Sequence, residues 1–488
     1  MEDKSMLTTE VDVKKVSPLD SLELAPLDLV QIQSAVKLQW VPSRYNLRTT
    51  ADDGRYVVWN SHTGAISIFN PQQRKAIQSL LRNGYEGEAR GVIKYLTDRG
   101  FLVPKGINEY RQIQLEFGQM HYRSDVLDLI LLASEDCNFR CTYCYEDFKR
   151  GTMLPSVREG LRKLIEKRAP HLRQLTIGWF GGEPLYGFKT IEDLGPFFAD
   201  ITDQYSIKYV SHMTTNAYLL TPDIAEKLLA WKILFYQITL DGMREQHDKK
   251  RPARDGSGTF DTIISNLRAL KQRKEGFRVR LRVNYDHENY PHLDELVSLL
   301  EETFERDPRF IIAFHAVGKW GGANDTNLEV CELDEGKELR ERLRKLALSR
   351  GFATPGTLRD MNGAGKNVCY AARPYNFTIG ADGKVMKCTV ALDKQAHNIV
   401  GQVTPDGELN LNVENLGRWV EPAFEGDPVC QKCVLLSTCQ GIACPLGRIQ
   451  TNVRPCAATP KNRLRNELLL TLQTANINSR EIRISNAE

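Results

Sequence analysis

Between residues 125 and 320, short apolar runs alternate with amphipathic stretches. Residues 126–133, 175–180, 209–214, 233–240, 279–284 and 310–316 read as buried strands. Residues 157–167, 222–230, 260–272 and 293–304 carry the helical period between them. Six β-α repeats predict an α/β fold, a parallel sheet curled toward a barrel, because parallel strands need crossover helices and cover on both faces. Function in such sheets gathers at the carboxyl ends of the strands. Here those ends run into Ser134-Glu135-Asp136-Cys137, Gly181-Gly182-Glu183-Pro184, Thr215-Asn216 and Asp241-Gly242. Four loops with distinctive chemistry share one predicted rim.

The flanking segments follow other patterns. Residues 1–36 show no firm period and read as a flexible lead-in. Within 37–110, the alternating runs 56–60 and 65–69 flank Ser-His-Thr-Gly, a hairpin signal. Pro71 then suits the first position of a helix over 72–82. A second helix is expected over 86–98, stopping at Gly100 before apolar Phe101-Leu102-Val103. Hairpin, two helices and a terminal strand suggest a winged-helix-like module. Past the barrel of 111–325, a charged helix (336–351) is expected to link, within 326–359, to a domain spanning 360–460. That stretch is poor in periodic runs and rich in Cys and Gly. A final helix is expected over 462–472, and 461–488 ends in a polar tail.

Composition narrows the class. The 488 residues are 41% hydrophobic and 26% charged, an ordinary globular balance, with 65 Lys and Arg against 62 Asp and Glu. A net charge of +3 gives no reason to expect nucleic acid or an acidic membrane as partner. No apolar run approaches the ~18 residues of a membrane span. The charged start MEDKSMLTTEVDVKK does not read as a secretory signal or transit peptide. A cytoplasmic location is expected.

The 11 cysteines are clumped. Disulfide frameworks distribute their cysteines through smaller chains, whereas gaps of two to five residues let several thiolates converge on one metal or cluster. Cys137-x3-Cys141-x2-Cys144 lies just after the first strand and offers three thiolates, where structural zinc takes four ligands. Three ligands leave one iron of a cubane cluster open. With Tyr143 as the aromatic before the last cysteine, the pattern resembles the radical S-adenosylmethionine (SAM) superfamily, whose hallmark is Cys-x3-Cys-x-aromatic-Cys after the first strand of a partial barrel. The resemblance implies that this cluster binds SAM and that its reductive cleavage yields a 5′-deoxyadenosyl radical.

Gly181-Gly182-Glu183-Pro184 looks like the family's GGEP motif, in which the glycines admit backbone to the methionine portion of SAM. By itself it is only a turn. Thr239-Leu240-Asp241-Gly242 resembles the family's Ser-Leu-Asp-Gly, with His247-Asp248-x2-Arg251 following. Arg251 is read either as a partner for the SAM carboxylate or as one more solvated charge. Asn216 stands where relatives carry Thr-Asn-Gly and either contacts the ribose or caps the turn. Gly256-Ser257-Gly258 reads as a plain loop.

Cys369-x13-Gly383-x4-Cys388, Cys430-x2-Cys433-x5-Cys439-x4-Cys444 and Cys456 resemble the SPASM domain, which holds two auxiliary [4Fe–4S] clusters. Family pairing implies Cys369, Cys388 and Cys444 for one cluster, and Cys430, Cys433, Cys439 and Cys456 for the other. Relatives usually place three residues between the last two cysteines of the clump, whereas Cys439 and Cys444 are separated by four. The first auxiliary cluster is then one ligand short, so either an iron is open, for instance to a substrate thiol, or another residue completes it. Cys331 is a candidate, although a small buried hydrophobe is its plainer reading. Two zinc sites are the alternative for the group.

The module at 37–110 is similar to the PqqD-like recognition element, which implies capture of a precursor's leader peptide by β-augmentation. Ten basic residues against five acidic ones over 37–103 make a mild excess, not a concentrated phosphate-binding patch. The resemblance as a whole implies a radical SAM/SPASM peptide maturase with SAM and three [4Fe–4S] clusters. Its implied partners are a ribosomal precursor peptide and an external electron donor of flavodoxin or ferredoxin type. Its product is a cross-link or another oxidative modification. A sulfatase-maturing enzyme is the runner-up, disfavoured because Thr389, not Asp, follows Cys388. A non-catalytic Fe–S or zinc regulator using the winged helix on DNA is the rival from another class.

Overall fold

The computed structural model describes residues 38–355, 368–421, 425–441, 444–453, 464–466 and 468–469. At the amino end, β1 (Gln39–Pro42), β2 (Asn46–Thr50), β3 (Tyr56–Asn60), β4 (Ile66–Phe69), α1 (Pro71–Asn83), β5 (Tyr85–Glu86), α2 (Gly91–Asp98) and β6 (Leu102–Pro104) form two small sheets, ordered β2-β3-β4 and β5-β1-β6. The expected hairpin is thus the outer half of a three-stranded sheet, since β2 pairs antiparallel with β3 from Asn46↔Asn60 to Thr50↔Tyr56. α1 starts where its caps dictate: Pro71 sits in the first turn, and Asn70 and Gln73 form a reciprocal capping box.

The helix expected over 86–98 is shorter and is corrected to Gly91–Asp98. Tyr85 and Glu86 are held as strand against β1, and Gly87 takes a positive φ that an α-helix cannot absorb. A helix not foreseen, α3 (Glu109–His121), then leads to the barrel.

The barrel strands are β7 (Val126–Ser134), β8 (Gln174–Gly181), β9 (Lys208–Thr215), β10 (Ile233–Thr239), β11 (Arg278–Tyr285) and β12 (Phe310–Ala316). All pair parallel with their sequence neighbours. Between them run α4 (Pro155–Arg168), α5 (Phe188–Gln204), α6 (Pro222–Ala230), α7 (Arg244–Lys250), α8 (Phe260–Lys271) and α9 (Leu293–Phe304), and α10 (Leu333–Ser349) follows. One continuous core joins strands to helices through Leu127, Leu129, Leu131, Ile177, Ile238 and Leu281. Alternate positions such as Asp128, Thr176, His212 and Arg280 fall on the opposite, concave face, because strand side chains have period two.

The cysteine-rich region is not wholly separate from the barrel. β13 (Asn376–Ile379) pairs parallel with β7, and β14 (Lys384–Met386), β15 (Ile399–Val403) and β16 (Leu409–Leu411) extend the sheet antiparallel to ten strands. Short helices α11 (Val413–Val420), α12 (Pro428–Gln431), α13 (Leu436–Cys439) and α14 (Pro445–Thr451) follow. Of the expected final helix, the described residues 464–466 and 468–469 are helical. No described helix is long and apolar enough to cross a membrane.

Contact between α4 and the β15–β16 turn is close enough to test. A Cβ on Gly160 would run into the Thr404 carbonyl oxygen, a backbone atom that cannot swing aside. Gly160→Ala is expected to cost about 1–3 kcal/mol by overpacking, read as a lower midpoint in thermal unfolding.

Candidate active site at the barrel rim

The loop after β7 carries Cys137, Cys141 and Cys144, and it is pinned along its length. Asp136 Oδ1 accepts the Cys137 N–H at 2.8 Å, and Phe139 N donates to Cys137 Sγ at 3.3 Å. The N–H groups of Arg140 and Thr142 donate to the carbonyls of Pro252 and Lys250, zipping this loop to the segment around Arg251. Phe139 is fully buried edge-on to Tyr218. Burial pushes all three thiols up, Cys144 to about 12. Thiols held this way become ligands only against a cation that offsets the desolvation.

Gly181 and Gly182 pass directly over this loop. Gly181 has φ +123°, and a Cβ on Gly182 would lie 2.7 Å from the Asp136 carbonyl oxygen and 3.1 Å from Cys137 Cβ. Side chains are excluded there, so backbone alone faces the cysteines. Glu183 turns inward. Its carboxylate accepts from Thr215 Oγ1 (2.6 Å), Asn216 N (2.6 Å) and Leu185 N (2.9 Å). Burial raises it to about 7 against those three donors. Asn216 caps its turn by accepting from Tyr218 N, while its Nδ2 donates to Asn138 Oδ1 at 2.8 Å. Glu183 therefore ties the second strand end to the third, and Asn216 ties the third to the loop after the first.

The fourth strand end supplies a buried polar network. Asp241 is fully buried: Oδ1 accepts from Asn284 N at 2.8 Å, and Oδ2 accepts from the Tyr143 hydroxyl. Arg251 is buried too, donating through Nη1 to the same hydroxyl at 2.7 Å and standing 3.9 Å from Asp241. Its reading as one more solvated charge is thereby corrected. Asn284 Nδ2 donates to the Tyr143 hydroxyl at 3.1 Å, and Asn289 Nδ2 to the Asp241 carbonyl at 2.6 Å. His247 Nδ1 accepts the Asp241 N–H. Thr239, also buried, ends β10 directly before this corner.

Asn284 and Asn289 were missed in the sequence, although polar Asn-Tyr-Asp-His-Glu-Asn after an apolar strand is the same signal as at the other four rim loops. The Arg251 Nε, Asn138 Nδ2 and His247 Nε2 atoms are buried without a partner among the described residues. Three thiols, unsatisfied donors and a glycine-lined approach together fit a thiolate-held cluster with a small polar ligand.

The segments beyond the barrel carry the later cysteines. Burial above all, and then the neighbouring Cys388 and Cys444, push the Cys369 thiol up. Asn398 Oδ1 accepts the Cys388 N–H at 2.9 Å, and Tyr370 OH and Thr389 Oγ1 share a 2.8 Å hydrogen bond beside it. Cys430 is capped by Asp427, and Cys433 Sγ accepts from Leu435 N at 3.4 Å. Cys439 ends α13, and Cys456 lies outside the described residues. No disulfide joins the described cysteines.

Between the first of these groups and the barrel lies a cavity of about 370 Å³, lined by Asp128, Thr176, Phe180, His212, Tyr370 and Thr389 among others. It connects the concave face of the strands to the Cys369–Cys388 region.

Residues 131–300 match the model of the Radical SAM superfamily. Among curated proteins, the radical SAM cyclopropyl synthase TigE of Paramaledivibacter caminithermalis is 26% identical over 262 residues, covering 47% of this chain and 54% of TigE. The Fe-coproporphyrin III synthase of Methanosarcina barkeri is 30% identical over 223 residues, covering 44% and 51%. The chain thus spans about half the length of these relatives. In fold it is similar to native anSMEcpe with bound AdoMet and the Kp18Cys peptide, with TM-score 0.53, 18% identity, and coverage of 72% of this chain and 98% of that one.

The network predicts an order of damage. Asp241→Asn removes the carboxylate facing a buried guanidinium and is expected to cost about 3–5 kcal/mol. Tyr143→Phe removes neutral hydrogen bonds and is expected to cost about 1–3 kcal/mol. Thermal unfolding of the two variants checks the ranking.

Proposed function

We propose, from the match of residues 131–300 to the Radical SAM superfamily, that this chain is a peptide maturase working at the rim just described. Cys137, Cys141 and Cys144 would hold a [4Fe–4S] cluster, with Gly181, Gly182, Glu183, Asn216, Thr239, Asp241, Tyr143 and Arg251 forming the surrounding SAM cradle. When bound, cluster and SAM supply a 5′-deoxyadenosyl radical that takes a hydrogen atom from the substrate. The chain's own part is positioning. Backbone of Gly181 and Gly182 admits the ligand closely, and Glu183 fixes Asn216. Arg251, buried with an unsatisfied Nε, offers a charge-assisted donor to a carboxylate.

The cavity beside Cys369 and Cys388 is the proposed seat of the modified residue. Cys369, Cys388 and Cys444 on one side, and Cys430, Cys433, Cys439 and Cys456 on the other, are proposed to hold two auxiliary clusters that accept electrons or anchor substrate. The barrel alone does not select the substrate, since its relatives bear names as different as cyclopropyl synthase and coproporphyrin synthase. The observation that carries the peptide reading is the amino-terminal sheet. β4 pairs on one side only among the described residues, and Ile68 on it is 39% exposed, so an extended leader could add as a further strand. The peptide bound by anSMEcpe, a protein of similar fold, supports the same reading.

Two outcomes are expected. Anaerobic reconstitution should load about twelve irons per chain, three four-iron clusters; zinc in their place would refute the reading. Ile68→Lys should weaken binding of the precursor peptide at least tenfold in a titration with labelled peptide, while leaving substrate-free SAM cleavage intact. Unchanged peptide affinity would exclude the β4 edge as the docking strand.

A further inference from the structure

Among the described residues, one set of three metal-binding side chains converges: His287, Cys331 and Glu335 place their ligand atoms within 4.8 Å of one another. His287 Nε2 and Glu335 Oε2 are 3.4 Å apart. The three come from two rim connections. His287 sits in the loop after β11, Cys331 just before α10, and Glu335 in the first turn of α10. Cys331 therefore stands with these residues at the barrel rim.

We infer that His287, Cys331 and Glu335 form a zinc site that braces the barrel rim, separate from any iron–sulfur cluster. One imidazole, one thiol and one carboxylate are a borderline-soft donor set, suited to Zn²⁺ and not to Mg²⁺ or Ca²⁺, which take oxygen ligands. Ligand–metal distances of about 2.0–2.3 Å put tetrahedral donors roughly 3.2–3.8 Å apart. The observed His287–Glu335 separation already lies in that range, and Cys331 Sγ lies within 4.8 Å of both. Three protein ligands leave a fourth position. With His287 and Glu335 side chains 46% and 44% exposed, that position faces solvent and can take water.

The site's placement gives it a task. Asp286, beside His287, accepts from Lys250 Nζ at 2.5 Å, and Lys250 precedes Arg251. Two residues beyond His287, Asn289 holds the Asp241 carbonyl and accepts the Asp286 N–H at 2.9 Å. On the other side, the Tyr285 hydroxyl donates to the Gly336 carbonyl at 2.5 Å, next to Glu335. An ion at the triad would clamp the 286–289 loop to α10 and so hold the Asp241–Tyr143–Arg251 network in place. It would act as a positioning site, at one remove from the chemistry.

The test uses the full chain with its clusters reconstituted, incubated with one equivalent of Zn²⁺ and passed through gel filtration. Metal analysis should find close to one zinc per chain beyond the iron. Zinc K-edge absorption, which iron does not obscure, should show a single sulfur neighbour. His287→Ala and Cys331→Ala should each drop the zinc to background, leave iron content unchanged, and abolish the rise in thermal midpoint that zinc gives the parent protein. Three outcomes would overturn the inference: no zinc retained by the parent, equal zinc in the variants, or a zinc with several sulfur neighbours. A Cys331→Ala protein that loses iron would also overturn it, by assigning Cys331 to a cluster.

Discussion

A parallel sheet delivers the carboxyl end of every strand to the same rim, and here that rim must accommodate three thiols, one buried and two half-buried, and a buried guanidinium. Neither is stable there alone. The guanidinium of Arg251 is met by the Tyr143 hydroxyl and, behind it, by Asp241, whose carboxylate is in turn fixed by the backbone of Asn284. Because Tyr143 lies between Cys141 and Cys144, the same hydroxyl ties the cysteine loop to the fourth and fifth strand ends. The arrangement of the other rim residues follows from that tie. Gly182 can lie against Cys137 only because the loop is held, and Glu183 can bridge to Asn216 only because β8 and β9 end in register with it.

The parts beyond the barrel are joined to it through the cysteine-bearing segments. Val57 and Trp59 of β3 pack with Leu435, Leu464 and Leu468, and Ser61 shares a 3.1 Å hydrogen bond with Ser437. The sheet proposed to receive a leader is therefore seated on the stretch that carries Cys430, Cys433 and Cys439. α3 completes the connection, with Ile113 and Phe117 against Val368, Ala372 and Leu436. At the other end, β13 joins β7, so the Cys369–Cys388 region closes one side of the barrel.

Much of this was legible before the structure. The six strands and four of the helices follow from hydropathy, because each strand's outer face must meet helices and each helix must cover the sheet. The rim was legible from the chemistry of the residues that interrupt those runs. What escaped was set by tertiary partners. β2 has a weak strand pattern, NLRTT, and is strand because β3 pairs with it. The early half of the expected 86–98 helix yields to pairing with β1. β13 is four residues long, and nothing local announces that it extends a sheet begun 250 residues earlier. The polar concave face, with Asp128, His212 and Arg280 among apolar neighbours, was hidden inside runs read as uniformly buried.

The central claim is that the trio Cys137, Cys141 and Cys144 carries the reaction. Its most direct test is the release of 5′-deoxyadenosine after adding SAM and a strong reductant, anaerobically, to reconstituted parent protein and to Cys141→Ala. The account predicts nucleoside from the parent and none from the variant, which should still fold and keep its other irons. Continued release from Cys141→Ala would contradict it.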